Sequence, residues 1–283
     1  MDILSRTPIA ADHRLPYGAG TLQFGDLWLP EAKTVQTAWK AGQRAPLVVF
    51  FHGGWWQAAY DLGYASFLCD ALRREGIAVW SLEYRRVGNP GGGWPGTFQD
   101  AAAGFEFVKS LASVYPVDLE RVVVAGHSAG GHLAFWVAGR HHVPEGSPVY
   151  EPRPGVAVHA AVSLAGAVDL RLTCDLAGYF VFAHDKRMVT DLMGGSAVQV
   201  PERYAAGNPG DLLPFNVPQT LVQGSEDDQI PPDLPGRWKD LARRSHDVAT
   251  VQIVPGADHF DVVDPESRGW PVVKAAFRQA CFG

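Results

Sequence analysis

The 283-residue sequence holds only three cysteines, Cys69, Cys174 and Cys281, and none are close enough for a C-x-x-C pair or a zinc-ligand spacing. An odd, scattered set excludes a disulfide framework and reads as buried or incidental thiols of a reducing compartment. Basic clusters are equally scarce. The densest are adjacent pairs such as Arg85-Arg86 and Arg243-Arg244, in a chain of formal net charge −6, so no nucleic-acid partner is expected. The longest weakly polar run, Val156 to Val168, is interrupted by His159 and falls short of the ~18 residues of a membrane span, so no membrane partner is expected either. Met1 to Gly20 lacks the apolar core of a signal peptide, and with the cysteine usage this sets a cytoplasmic expectation. There is no H-E-x-x-H and no histidine set with metal spacing, so neither a metal nor another cofactor is expected.

What remains is ordinary globular material, 47% hydrophobic and 19% charged, in a chain long enough to bury a core without staples. Strand and helix patterns alternate, which predicts an α/β fold: a mostly parallel central sheet with helices on both faces. Thr21 to Leu29 alternates apolar and polar residues as an edge strand would. Pro46 to Phe51, Ile77 to Tyr84, Arg121 to Ala125, Val156 to Leu164, Gln219 to Gln223 and Ala249 to Val254 read as further strands, the first two being continuous apolar runs typical of strands buried on both faces. Helices are expected over about 63–74, over Thr97 to Leu111 with Asp100 in the dipole-favoured first turn, over Ala129 to Arg140, and at the C-terminus to about Ala280. Between Asp169 and Val217 no clean strand pattern exists. A connection of that length inside one domain spanning 1–283 is expected to be functional, so residues 170–216 are read as a small cap, with a helical surface excursion as the alternative.

Three segments carry chemistry. Gly126-His127-Ser128-Ala129-Gly130 is a G-x-S-x-G sequence between a strand pattern and a helix pattern, the context of a nucleophile elbow. A serine hydroxyl needs an adjacent base, and in such folds the acid and the histidine follow the serine in that order. His259, in a loop after the last strand, is the candidate base. Glu226, Asp227 and Asp228 compete as the acid, and the run Gly-x-x-Asp-x-x-Ile-Pro favours Asp227. The third segment, His52-Gly53-Gly54-Trp55-Trp56, directly follows a buried strand. Its small residues let backbone N–H groups approach a developing oxyanion. Gly54 and Trp55 are preferred donors over Gly53, with Ala129 supplying the second half of the hole. Trp55, Trp56 and Trp94 are candidates for an aromatic-lined substrate pocket, with core packing as the alternative for each.

Together, His-Gly-Gly-Trp-Trp, Gly-His-Ser-Ala-Gly-Gly-His, Gly-Ser-Glu-Asp and Ala-Asp-His resemble the hormone-sensitive-lipase-like esterases of the α/β-hydrolase fold. More narrowly they are similar to the α/β-hydrolase type of arylformamidase. The resemblance runs from about Leu47 to the C-terminus and implies a Ser128–Asp227–His259 triad with an oxyanion hole at Gly54, Trp55 and Ala129. Trp55 stands where the common His-Gly-Gly-Gly loop has its third glycine, which brings the loop closer to that of the formamidases. The expected partner is therefore a small-molecule ester or amide, either a carboxylic ester or an N-formyl arylamine. A small peptidase and a silent ligand-binding scaffold are the alternatives, and a homodimer is left open.

Overall fold

The computed structural model describes residues 2–30, 44–152, 155–175 and 186–283. Eight strands form one sheet: β1 (His13–Pro16), β2 (Phe24–Trp28), β3 (Ala45–Phe51), β4 (Ala78–Leu82), β5 (Val117–His127), β6 (Ala160–Leu164), β7 (Gln219–Gly224) and β8 (Ala249–Val254). Their spatial order is β1-β2-β4-β3-β5-β6-β7-β8. β1 and β2 are antiparallel additions at one side, and every pairing from β4 through β8 is parallel.

β3, β4 and β6 are short, buried and largely apolar because both faces are covered. Leu47, Val49 and Phe51 of β3 point into one core, while Val48 and Phe50 enter the other, the alternation that a pleated strand imposes. On one face pack α1 (Ser66–Arg74) and the C-terminal α9 (Trp270–Phe282), through Leu68, Leu72, Val273 and Phe277. On the other lie α2 (Gly96–Glu106), α3 (Val108–Val114), α4 (Ala129–Gly139) and α8 (Leu234–Arg244). α4 is buried along its whole length, which fits a helix that is apolar all round. Among the described residues between β6 and β7 lie three short helices, α5 (Leu170–Asp175), α6 (Lys186–Met193) and α7 (Pro201–Gly207). Residues 176–185 of the expected cap lie outside the described residues. Among the described residues no helix is long and apolar enough to cross a membrane.

Several details differ from the sequence expectation; among them, the strand expected from Val156 begins only at Ala160. The Thr21–Leu29 segment is not the edge, because β1 pairs outside it, His13 opposite Leu27 and Pro16 opposite Phe24. The single helix expected over Thr97 to Leu111 divides at Phe107, whose ring stacks on Trp80 at 5.7 Å. Asp100 sits past the first turn and serves no dipole. It is buried, and its two oxygens accept from the Arg85 guanidinium and backbone N–H and from Gln23 Nε2 at 2.6–2.9 Å, tying α2 to the end of β4.

Candidate active site

In a parallel sheet the loops leaving the carboxyl ends of the strands converge on one edge, and here they bring the three motif segments together. β5 ends at His127, and Ser128 makes the turn into α4 with φ 54° and ψ −122°. That conformation costs on the order of 1–3 kcal/mol for a non-glycine residue and is held only by its surroundings. The hold is visible. Ser128 N–H donates to the Leu164 carbonyl at 2.9 Å, and the Ser128 carbonyl accepts from Gly131 and Ala167 at 2.9 and 3.1 Å. The flanking glycines are required by close approach: a Cβ on Gly126 would collide with the Gly130 carbonyl, and one on Gly130 with the Phe51 carbonyl.

Asp227 and His259 leave β7 and β8. His259 Nδ1 donates to Asp227 Oδ2 at 2.8 Å, and both side chains are buried. The same oxygen accepts from Gln223 Nε2 at 2.7 Å, and Oδ1 accepts the backbone N–H groups of Gln229 and Ile230, each at 2.8 Å. Four donors converge on this carboxylate and fix its orientation. Its competitors Glu226 and Asp228 are exposed. Gln223 is a site residue that sequence reasoning missed; its only signal was an inward position on a buried strand four residues before Asp227.

The His52–Trp56 loop follows β3. Gly54, Trp55 and Trp56 all have positive φ, 110°, 51° and 55°, so the chain makes a left-handed turn that L residues ordinarily avoid. Beneath it, His52 Nδ1 faces the Gly53 carbonyl at 2.7 Å and Nε2 faces Glu83 Oε1 at 3.2 Å, with the His52 ring stacked on Tyr84 at 4.4 Å. Arg86 reaches the same Glu83 oxygen at 3.0 Å. Burial alone would raise the Glu83 carboxyl, but His52 and Arg86 outweigh it and hold it below the usual carboxylate range. The Gly53 N–H is taken by Tyr64 Oη at 2.7 Å. Among the described residues the N–H groups of Gly54 and Ala129 have no hydrogen-bond partner.

A cavity of about 330 Å³ opens over these loops, and Ser128, His259 and Gly54 lie on its floor. Trp55, Tyr60, Phe260, Met188 of α6 and Leu4 wall it. Trp55 thus lines the cavity, whereas Trp56 and Trp94 are not among the described lining residues. Trp56 turns fully into the core, edge-on to His132 at 5.2 Å, and Trp94 packs against Phe98 at 5.0 Å. Those two follow the packing alternative. Among the described residues no group of three or more His, Cys, Asp or Glu side chains could hold a metal ion.

The sheet order, the strained serine at a strand-to-helix turn and the ordered acid and histidine loops define an α/β-hydrolase. The chain matches the family model BD-FAE over residues 34–236, and it belongs to that family. It is 27% identical to esterase LipC of Mycobacterium tuberculosis over 90% of its own length and 61% of that protein. It is 24% identical to kynurenine formamidase of Drosophila melanogaster, over 93% of this chain and 79% of that one. The chain spans 37–57% of the length of three further plant and mycobacterial carboxylesterase, methylesterase and esterase relatives. Among solved structures, esterase B from Lactobacillus Rhamnosis (HN001) superposes with a TM-score of 0.76 at 20% identity, over 97% of this chain and 86% of that one, a likeness of fold.

Proposed function

We propose that this chain is a serine hydrolase that cleaves carboxylic esters through an acyl-enzyme on Ser128. The observation that carries the reading is the buried His259–Asp227 pair, whose His259 lines the same cavity as the strained Ser128. Because Nδ1 of His259 donates to Asp227, the neutral ring has Nε2 bare and able to act as a base. His259 takes the Ser128 proton as Oγ attacks the carbonyl carbon, and the oxyanion is received by the N–H groups of Gly54, Trp55 and Ala129. The proton then passes to the leaving alkoxide, which departs as the alcohol. Water attacks the acyl carbon, gives its proton to His259, and Ser128 leaves with that proton as the acid is released. Residues 170–216 act in this reading as a small cap, supported by Met188 at the cavity wall.

A second reading, cleavage of an N-formyl arylamine, is favoured by the His-Gly-Gly-Trp-Trp loop and by the similarity to the fly formamidase. The two readings share the mechanism and differ in which side of the cavity takes the bulky group. Initial rates on short p-nitrophenyl esters and on an N-formyl arylamine, for the parent and for Ser128→Ala, test both. Faster ester turnover that vanishes in the variant is expected. A far higher kcat/KM on the formamide transfers the assignment to the second reading, and full activity of Ser128→Ala removes both.

A further inference from the structure

Two buried side chains with no part in the chemistry above connect its components in series. Tyr64, in the turn Gly63–Ala65 before α1, accepts the Gly53 N–H at 2.7 Å and donates its own proton to His127 Nδ1 at 2.8 Å. His127, the residue before Ser128, donates from Nε2 to the backbone carbonyl of His259 at 2.9 Å. The direction is forced. A carbonyl only accepts, so His127 Nε2 carries the proton, and a neutral ring leaves Nδ1 as an acceptor. The Tyr64 hydroxyl proton then has a single destination, and its lone pair takes the Gly53 N–H. Tyr64 is 8% and His127 1% exposed, so neither bond competes with bulk water. The burial that seals them also pushes the His127 imidazole well below its ordinary range, consistent with the neutral ring.

The relay reaches three segments that leave three different strands: the glycine loop after β3, the elbow after β5 and the histidine loop after β8. Its packing is tight at both ends. A Cβ on Gly53 would stand 2.9 Å from Tyr64 Oη, from the His127 carbonyl and from Ser128 Cβ. The rings of His127 and His259 lie 4.6 Å apart, with Phe260 flanking His127 at 5.5 Å and Tyr64 at 6.1 Å. By fixing Gly53, the tyrosine also fixes the peptide that presents the Gly54 N–H, and by fixing the His259 carbonyl, the histidine anchors the backbone of the base.

We infer that Tyr64 and His127 are positioning residues, a hydrogen-bonded strap that holds the oxyanion loop and the general-base loop in one geometry about Ser128. This rests on the triad and oxyanion roles proposed above. An ångström-scale misplacement of such groups typically lowers turnover by about two orders of magnitude. Tyr64 and His127 also border the cavity, but Tyr64→Phe and His127→Leu keep side chains of similar bulk there, so ground-state binding changes little. The strap therefore acts on kcat, not on KM. It also acts as one unit, so breaking it twice costs little more than breaking it once.

The test is steady-state hydrolysis of p-nitrophenyl acetate by Tyr64→Phe, His127→Leu, His127→Gln and the Tyr64→Phe/His127→Leu pair, measured well below every variant's melting temperature. Fluorophosphonate titration counts the folded sites. Tyr64→Phe and His127→Leu are each expected to lower kcat at least tenfold with KM within about threefold. The pair is expected to fall no more than about threefold below the weaker single variant. His127→Gln, which keeps a donor for the His259 carbonyl, is expected to recover at least a third of the loss on a logarithmic scale. A kcat loss under tenfold in Tyr64→Phe, additive losses in the pair, or no recovery in His127→Gln would each overturn the strap, even if stability falls. Ser128→Ala is measured alongside: retained activity there refutes the triad reading itself, whereas its loss with a normal Tyr64→Phe refutes only the strap.

Discussion

Replacing Asp227 by asparagine changes one atom and should disable the site. The carboxylate accepts two backbone N–H groups on Oδ1, both at 2.8 Å, and the Gln223 amide and His259 Nδ1 on Oδ2, at 2.7 and 2.8 Å. Asparagine has a single acceptor oxygen. The two backbone donors cannot move without unwinding the turn after β7, so the oxygen settles on them and the NH₂ group faces Gln223 and His259. Two donors then oppose each other at Gln223, and His259 relieves its own clash only by accepting on Nδ1 and carrying its proton on Nε2. In that tautomer the proposed base already carries a proton on Nε2, the nitrogen it would offer to Ser128. A wrong tautomer in an otherwise intact triad lowers turnover by about 10⁴, which corresponds to about 5.5 kcal/mol of transition-state stabilisation. The assay is p-nitrophenyl acetate hydrolysis corrected for the spontaneous rate, with Glu226→Gln and Asp228→Asn as controls. Both control side chains are exposed, and their variants should stay within about twofold of the parent. If Asp227→Asn kept more than a tenth of the parent kcat/KM, or if either control lost more than Asp227→Asn did, the assignment of the acid would be refuted.

Burial pulls the His132 imidazole down to about 4, against the opposing pull of its hydrogen bond to the Gly207 carbonyl. The unfolded ring takes up a proton below about pH 6.5, so this contribution is fully present above that pH and is lost as pH falls towards 4. It amounts to about 2 kcal/mol of stability lost between pH 7.5 and 5. Urea unfolding should show that much less acid sensitivity in His132→Gln than in the parent, and equal sensitivity in the two would refute the neutral buried ring. The adjacent tryptophans should separate cleanly: Trp56→Ala, which empties a fully buried site, should lose about 3–5 kcal/mol of stability. Trp55→Ala, on the cavity wall, should raise KM for an aromatic ester about tenfold with little change in melting temperature, and the reverse pattern would contradict the cavity assignment.

The parallel core was legible because strands buried on both faces leave unbroken apolar runs such as Leu47 to Phe51. β1 was not, since four residues with three exposed positions and a terminal proline carry no hydrophobic signal. β5 begins at Val117, earlier than the apolar run, because its polar first half, Asp118 to Arg121, is only partly covered. The Ser, Asp and His candidates could be chosen from local context because each stands at the end of a strand pattern. What joins them could not. Tyr64 lies 11 residues from Gly53 and 63 from His127, and such pairings are set by the closure of the sheet. The separate fates of Trp55 and Trp56 depend on a left-handed turn that no side-chain periodicity encodes.

The most direct test of the account is intact-protein and peptide mass spectrometry after reaction with a fluorophosphonate ester. One adduct per chain, located on Ser128 and formed in step with loss of esterase activity, is the predicted result. Full inactivation with the adduct on another residue, or retained activity after Ser128 is fully modified, would contradict it.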